Sequence, residues 1–212
     1  MKILAIGAHP DDIEVGCSGT LAKYAQAGHD IYLLVMTEGH MGGKRAVRKK
    51  EQMRSAKILK PRELIWGGCE DTLLSLHMNK MVHDIEAVLK KVNPDFIFVQ
   101  YEDDTHQDHR SLAKATISAT RYVRNVLFYE GPTTQNFSPT VFVDIKETID
   151  TKFATLLAHR SQVQKTNIGG LSITEIARST AVFRGTQGRV QFAEAFVPLR
   201  LFVDVSQLCS EP

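Results

Sequence analysis

The chain has few cysteines, no long apolar run and almost no net charge, and each shortage removes a class of function. Its three cysteines, Cys17, Cys69 and Cys209, form an odd set at no metal-site spacing. That suits reduced thiols in the cytoplasm and argues against a disulfide framework. The longest apolar stretches are strand-length, and Met1-Lys2 leads straight into one of them, so neither a membrane span nor a secretory leader is expected. With 26 Lys+Arg against 24 Asp+Glu, the formal net charge is only +2. No basic stripe stands out, and nucleic acid is not an expected partner. The first βα turn lacks G-x-G-x-x-G, which excludes the usual dinucleotide cradle. The loop Gly39-His40-Met41-Gly42-Gly43-Lys44-Arg45 is one residue short of a phosphate loop and has Arg45 where a magnesium-binding Ser/Thr belongs. Internal repeats and low-complexity segments are missing too.

What is present is a regular alternation. At 212 residues with 43% hydrophobic content, the chain can bury one substantial core. Strands are expected at Lys2–Gly7, 31–36, 64–66 (ended by Gly67-Gly68), 96–99 and 126–129. Between them lie a helix capped by Ser18 and stopped at Gly28, a charged helix carrying Val47, Met53, Ala56, Ile58 and Leu59, an amphipathic helix over Met78–Val92 stopped by Asn93-Pro94, and a helix over 111–120. Such alternation predicts right-handed crossovers and an α/β, Rossmann-like, doubly wound and mostly parallel sheet of order 3-2-1-4-5. Beyond Gly131 the pattern changes to a strand at 141–143, a helix over 147–159, a Gly169-Gly170 loop, a short helix and a final strand at 195–197. We read residues 1–212 as one domain, with a core over 1–130 and an extension over 131–212 packed on it.

Chemistry concentrates at two strand tips. Ala8-His9-Pro10-Asp11-Asp12 follows strand 1, and His106-Gln107-Asp108-His109 follows strand 4. In the expected order these strands are neighbours at the switch point, where ligands bind beyond the carboxyl edge. A catalytic zinc takes three imidazole or carboxylate ligands and leaves a position for water, and His9, Asp12 and His109 meet that count. Asp11 then remains as a carboxylate near the water, placed for general-base work. Asp108 is free to orient an imidazole, and His106 stands near any developing oxyanion. The remaining histidines, His29, His40, His77, His83 and His159, read as surface or cap residues, and Cys17 as a small buried one. The basic run around Arg48 reads as a solvated helix face, with Arg48 itself within reach of the crevice.

These motifs resemble those of the LmbE/PIG-L family of zinc-dependent N-deacetylases, which includes enzymes of mycothiol and bacillithiol pathways and deacetylases of N-acetylglucosamine conjugates. The strand-AHPDD motif corresponds to Ala8 to Asp12 and the H-x-D-H motif to His106 to His109. R-x-x-E corresponds to Arg48 and Glu51, A-H-x-S-Q to Ala158 to Gln162, and A-E-A-F to Ala193 to Phe196. The resemblance implies a zinc site at His9, Asp12 and His109, a general base at Asp11, and His106 stabilising or protonating the tetrahedral intermediate. It places Arg48 and Asp71 near the sugar, and it implies a homo-oligomer, hexamers included. Gln107, His40 and Asp104 depart from the family pattern without removing a ligand. The implied reaction is hydrolysis of an N-acetyl group from an amino-sugar conjugate. A metallohydrolase acting on a non-sugar amide or ester, or a non-catalytic sugar-binding module, are the alternatives.

Overall fold

A computed structural model describes residues 1–203; Cys209 lies outside them. Seven strands form one sheet in the order β3-β2-β1-β4-β5-β7-β6. They are β1 (Lys2–Gly7), β2 (Asp30–Thr37), β3 (Glu63–Cys69), β4 (Phe96–Gln100), β5 (Val126–Tyr129), β6 (Val141–Asp144) and β7 (Ala193–Arg200). The first five are mutually parallel in the expected order. β7 runs antiparallel to β5, and β6 antiparallel to β7, so much of the C-terminal part lengthens the sheet edge.

Period-two alternation in β1 divides the core. Leu4 and Ile6 face a layer made with α3 (Met78–Val92) and α4 (Gln107–Ala119), where Met81, Ile85, Leu112 and Ala115 are buried. Ile3 and Ala5 face the opposite layer, where Ile13, Cys17 and Leu21 of α1 (Asp12–Gln26) meet Leu59 of α2 (Arg45–Leu59). Both faces of the sheet are thus covered, as parallel sheets require. Outside this second layer, α5 (Ile149–Ala158) packs on α1 and α2, and α6 (Ile173–Gly188) packs on β7.

Several elements begin or end away from the sequence expectation. Ser18 does not cap α1: it is fully buried in mid-helix and donates to the Glu14 carbonyl at 2.8 Å. The helix begins instead at Asp12, because Asp11 takes a positive φ of 91° and turns the chain within the motif. α4 starts at Gln107 rather than 111, with His106 as its cap, so the second cluster lies on a first helical turn. β3 continues through Gly67-Gly68 to Cys69. α6 is 16 residues long, not short, and starts at a capping box in which Ser172 and Glu175 satisfy each other's backbone N–H groups.

Candidate active site

Four loops at the carboxyl ends of β1 to β4 bring the site together, and its first link joins the two central strands. The Ala8 N–H donates to Gln100 Oε1 at 3.0 Å, and Gln100 Nε2 donates to Asp12 Oδ2 at 2.7 Å. Asp12 Oδ2 also accepts from the His9 N–H at 2.7 Å. With one oxygen so occupied, Asp12 turns Oδ1 toward His109 Nε2, 3.4 Å away, while His9 Nδ1 lies 3.3 Å from Oδ2. His9, Asp12 and His109 each offer a donor atom, all within 4.8 Å of one another.

Their outward nitrogens face carboxylates. His109 Nδ1 lies 3.2 Å from Asp104 Oδ2, and His9 Nε2 lies 3.0 Å from Asp71 Oδ1 and 3.2 Å from Asp108 Oδ2. A carboxylate on one ring nitrogen keeps the proton there and leaves the other nitrogen's lone pair for a cation, the usual support of a metal-bound histidine. The donor chemistry therefore fits a divalent cation. His9, His106 and Asp108 form a second close set, but Asp108 is fully buried and accepts from the Thr72 and Leu74 N–H groups as well as facing His9. Asp108 thus faces His9 with its oxygens also engaged by backbone N–H groups.

Charges within the group follow from this packing. Burial opposes charge on His109, but Asp12 and Asp104 outweigh it and raise its pKa to about 9. His9 is raised as well, with burial opposed by Asp108, Asp12 and Asp71. Burial likewise opposes the Asp12 charge, yet His109 and His9 hold it well below the usual carboxylate range. For Asp71, burial is overcome by His9 and by the Met41 N–H, and its pKa falls to about 2. Asp11 goes the other way: burial lifts it, and Arg48 and His159 only partly restrain the rise.

His9 and His109 thus hold protons more tightly than free imidazoles when no cation is bound. A folded pKa above the ordinary value of about 6.5 gives stability that is complete below pH ~6.5 and is lost as pH climbs through about 9 for His109. A cation must displace those protons. Zinc affinity should therefore rise between about pH 6 and pH 8, with proton release that calorimetry in buffers of different ionisation enthalpy will count. An affinity independent of pH, with no proton released, would contradict this charge state.

His106 stacks on His109, ring centroids 4.6 Å apart and planes inclined by 17°. Its Nδ1 accepts from the Asp108 N–H at 3.2 Å, so Nε2 carries the hydrogen of the neutral ring. Burial, then the charged His9 and His109, push its pKa down and keep it neutral. Arg48, expected near the sugar, is 4% exposed and donates through Nη2 to the Pro10 carbonyl and, at 3.2 Å, to Asp11 Oδ1. It packs against Gly39, where φ is 65° and a Cβ would stand 2.9 Å from the Pro10 ring and 3.1 Å from Arg48. Only glycine suits that turn. Asp71, also expected at the sugar, has its oxygens engaged by His9 and by the Met41 N–H at 2.7 Å.

The other matched segments build the walls. Glu51 accepts from the N–H and hydroxyl of Ser161, at 2.8 and 2.7 Å, and Gln162 donates to the Gly42 carbonyl. Glu194 accepts from the Gly19 and Thr20 N–H groups and pairs with buried Lys152, fastening β7 to α1. His159, read from sequence as a surface or cap residue, is 1% exposed and lies 3.6 Å from Glu14. Gln100 and Asp104 escaped the sequence reading as site residues; the signal was their polarity at and just beyond a buried strand end.

All of this opens on a cavity of about 800 Å³ lined by His9, Asp11, Asp12, Arg48, Asp71, His106 and His109, and also by Met41, Ile168, Ile173 and Ile176. No helix among the described residues is long and apolar enough to cross a membrane.

Residues 4–120 match the family model described as PIG-L, GlcNAc-PI de-N-acetylase. YaiS of Escherichia coli, described as an uncharacterized deacetylase, is 39% identical over 167 residues, covering 75% of this chain and 90% of its own. Conserved protein TT1542 of Thermus thermophilus superposes with a TM-score of 0.84 at 27% identity, covering 99% of each chain. The N,N′-diacetylchitobiose deacetylase of Pyrococcus horikoshii, solved with its inhibitor, superposes at 0.82 with 25% identity over 93% of this chain and 83% of that one. The matched segment holds both strand-tip motifs, with His9, Asp12 and His109 among its residues, and on this evidence the chain belongs to the PIG-L family of metal-dependent deacetylases.

Proposed function

We propose that the protein hydrolyses the N-acetyl group of an N-acetylglucosamine-type conjugate, with zinc held by His9, Asp12 and His109, giving acetate and the free amino sugar. The observation that carries this reading is the position of Asp11. It lines the same cavity as the ligand set, is not needed as a ligand, and has a carboxyl whose pKa burial raises above the ordinary value. A divalent cation held by His9, Asp12 and His109 would polarise a carbonyl oxygen and make a water more acidic. Asp11 takes a proton from the attacking water as its oxygen bonds to the acetyl carbon. His106 donates from Nε2 to the oxygen that gains charge. The proton held by Asp11 then passes to the departing amine nitrogen as the C–N bond breaks. Support for a sugar substrate comes from the family description and from the diacetylchitobiose deacetylase of similar fold.

The sugar ring is proposed to lie between Arg48 and Asp71, which line the cavity. Their internal bonds separate the two roles. Asp71→Ala removes a partner of His9 and should weaken metal binding by about 10–100-fold, the usual cost of losing an outer partner of a ligand. Arg48→Ala should leave metal affinity near wild type and lower kcat/KM more on an acetylated amino sugar than on a small acetamide. Equal losses on both substrates would show that Arg48 serves only to hold Asp11 and the Pro10 turn. The reading as a whole is tested by mass-spectrometric screening of N-acetylglucosamine conjugates with zinc-loaded protein. Loss of one acetyl group is expected, and cleavage confined to non-sugar amides or esters would overturn the substrate class.

A further inference from the structure

Asp11 holds a backbone that its residue type seldom adopts, φ 91° and ψ −21°, and its side chain makes no capping bond to the helix it precedes. What secures the turn comes from α2. Gln52, fully buried, accepts the Asp11 N–H on Oε1 at 3.2 Å and donates through Nε2 to Glu14 Oε1 at 2.7 Å. Ser55 Oγ donates to the same Glu14 oxygen at 2.6 Å, and His159 Nε2 lies 3.6 Å from it. An amide suits this place because its oxygen meets a backbone donor while its NH₂ meets a carboxylate. Glu14 therefore fixes which way the amide faces.

A buried carboxylate is a costly way to fill the space between two helices, where aliphatic side chains would pack without desolvating a charge. Glu14 is nonetheless fully buried, and one of its oxygens gathers the amide, the hydroxyl and the imidazole. The backbone that this arrangement grips is that of Asp11. Arg48 grips the other end of the residue, at Oδ1. The side-chain bonds of Gln52 go to Asp11 and Glu14, neither of them in the ligand set.

We propose that Gln52, oriented by Glu14, is a positioning residue for Asp11: it fixes the left-handed turn that aims the Asp11 carboxylate into the cavity. The inference rests on Asp11 being the base. Ser55 holds Glu14 and so acts one step further back.

The test uses Gln52→Met, which removes both bonds at nearly constant volume, and Gln52→Asn, which keeps the amide but shortens its reach. Acetate release from N,N′-diacetylchitobiose gives kcat and KM for the zinc-loaded full chain; bound zinc and the thermal midpoint are read on the same samples. In a folded variant kcat should fall about 10–100-fold with KM and zinc content unchanged, since a displacement of about 1 Å at a reacting group costs up to about 10²-fold. In an Asp11→Asn background the same change should alter kcat by less than about twofold, because a residue that acts through Asp11 has nothing left to position. Wild-type kcat in a folded variant, or losses that multiply with that of Asp11→Asn, would overturn the positioning role alone. Full turnover by Asp11→Asn itself would remove the base assignment and this inference together.

Discussion

In the His109→Ala protein, zinc bound per chain should drop from one to almost none at concentrations that saturate the wild type. The reason is geometric. His109 Nε2 and Asp12 Oδ1 stand 3.4 Å apart across the space where a cation would sit, and Asp104 fixes the imidazole from behind. Removing the ring takes away one of the three proposed ligands, so the loss should exceed the roughly 10–100-fold that follows removal of an outer partner. It also leaves buried Asp104 without its imidazole neighbour and Asp12 with His9 alone, and a buried carboxylate that loses its partner destabilises a fold. His109→Gln, which retains hydrogen bonding, separates the two effects: it should recover stability more than metal binding. Full zinc occupancy in a folded His109→Ala protein would mean that His9, His106 and Asp108, the second close set, hold the ion.

The Asp11→Asn protein should bind zinc like the wild type and lose about 10²–10⁴-fold in turnover, the usual weight of a general base. Asparagine tolerates a positive φ much as aspartate does, and its amide oxygen can still accept from Arg48 Nη2, so the turn and the ligand set should stay in place. What disappears is the capacity to take a proton. Comparing metal content, thermal midpoint and kcat on the same samples checks each part. Wild-type turnover with zinc bound would show that another group activates the water.

How much of this was legible in the sequence depends on whether a residue's role is local. The order of the first five strands follows from alternation and right-handed crossovers, and it places His9, Asp12 and His109 at adjacent strand ends. The same placement leaves Asp108 free to meet an imidazole without saying which, and in the structure it lies 3.2 Å from His9 Nε2. The supports are another matter, because their meaning lies in partners far away in the chain. Gln100 reads as the polar end of a strand, yet it joins Ala8 and Asp12, the latter 88 residues earlier. Gln52 lies on a helix that reads as a solvated charged face, and its partner Glu14 is 38 residues away. His159 looks like a surface histidine until α5 packs on α1 and α2 and buries it. α6 hides its length because Val182 and Phe183 are exposed and blur the apolar stripe.

The central claim, zinc-dependent de-N-acetylation at this cavity, is tested most directly by metal reconstitution. Protein stripped by chelation and titrated with zinc is assayed for acetate released from N-acetylglucosamine conjugates, with the amine product measured alongside. Activity should be absent without metal and should rise in step with zinc up to one ion per chain, with acetate and free amine formed in equal amounts. Acetate release that is undiminished after the metal is removed, or its absence from a folded protein carrying one zinc per chain, would contradict the account.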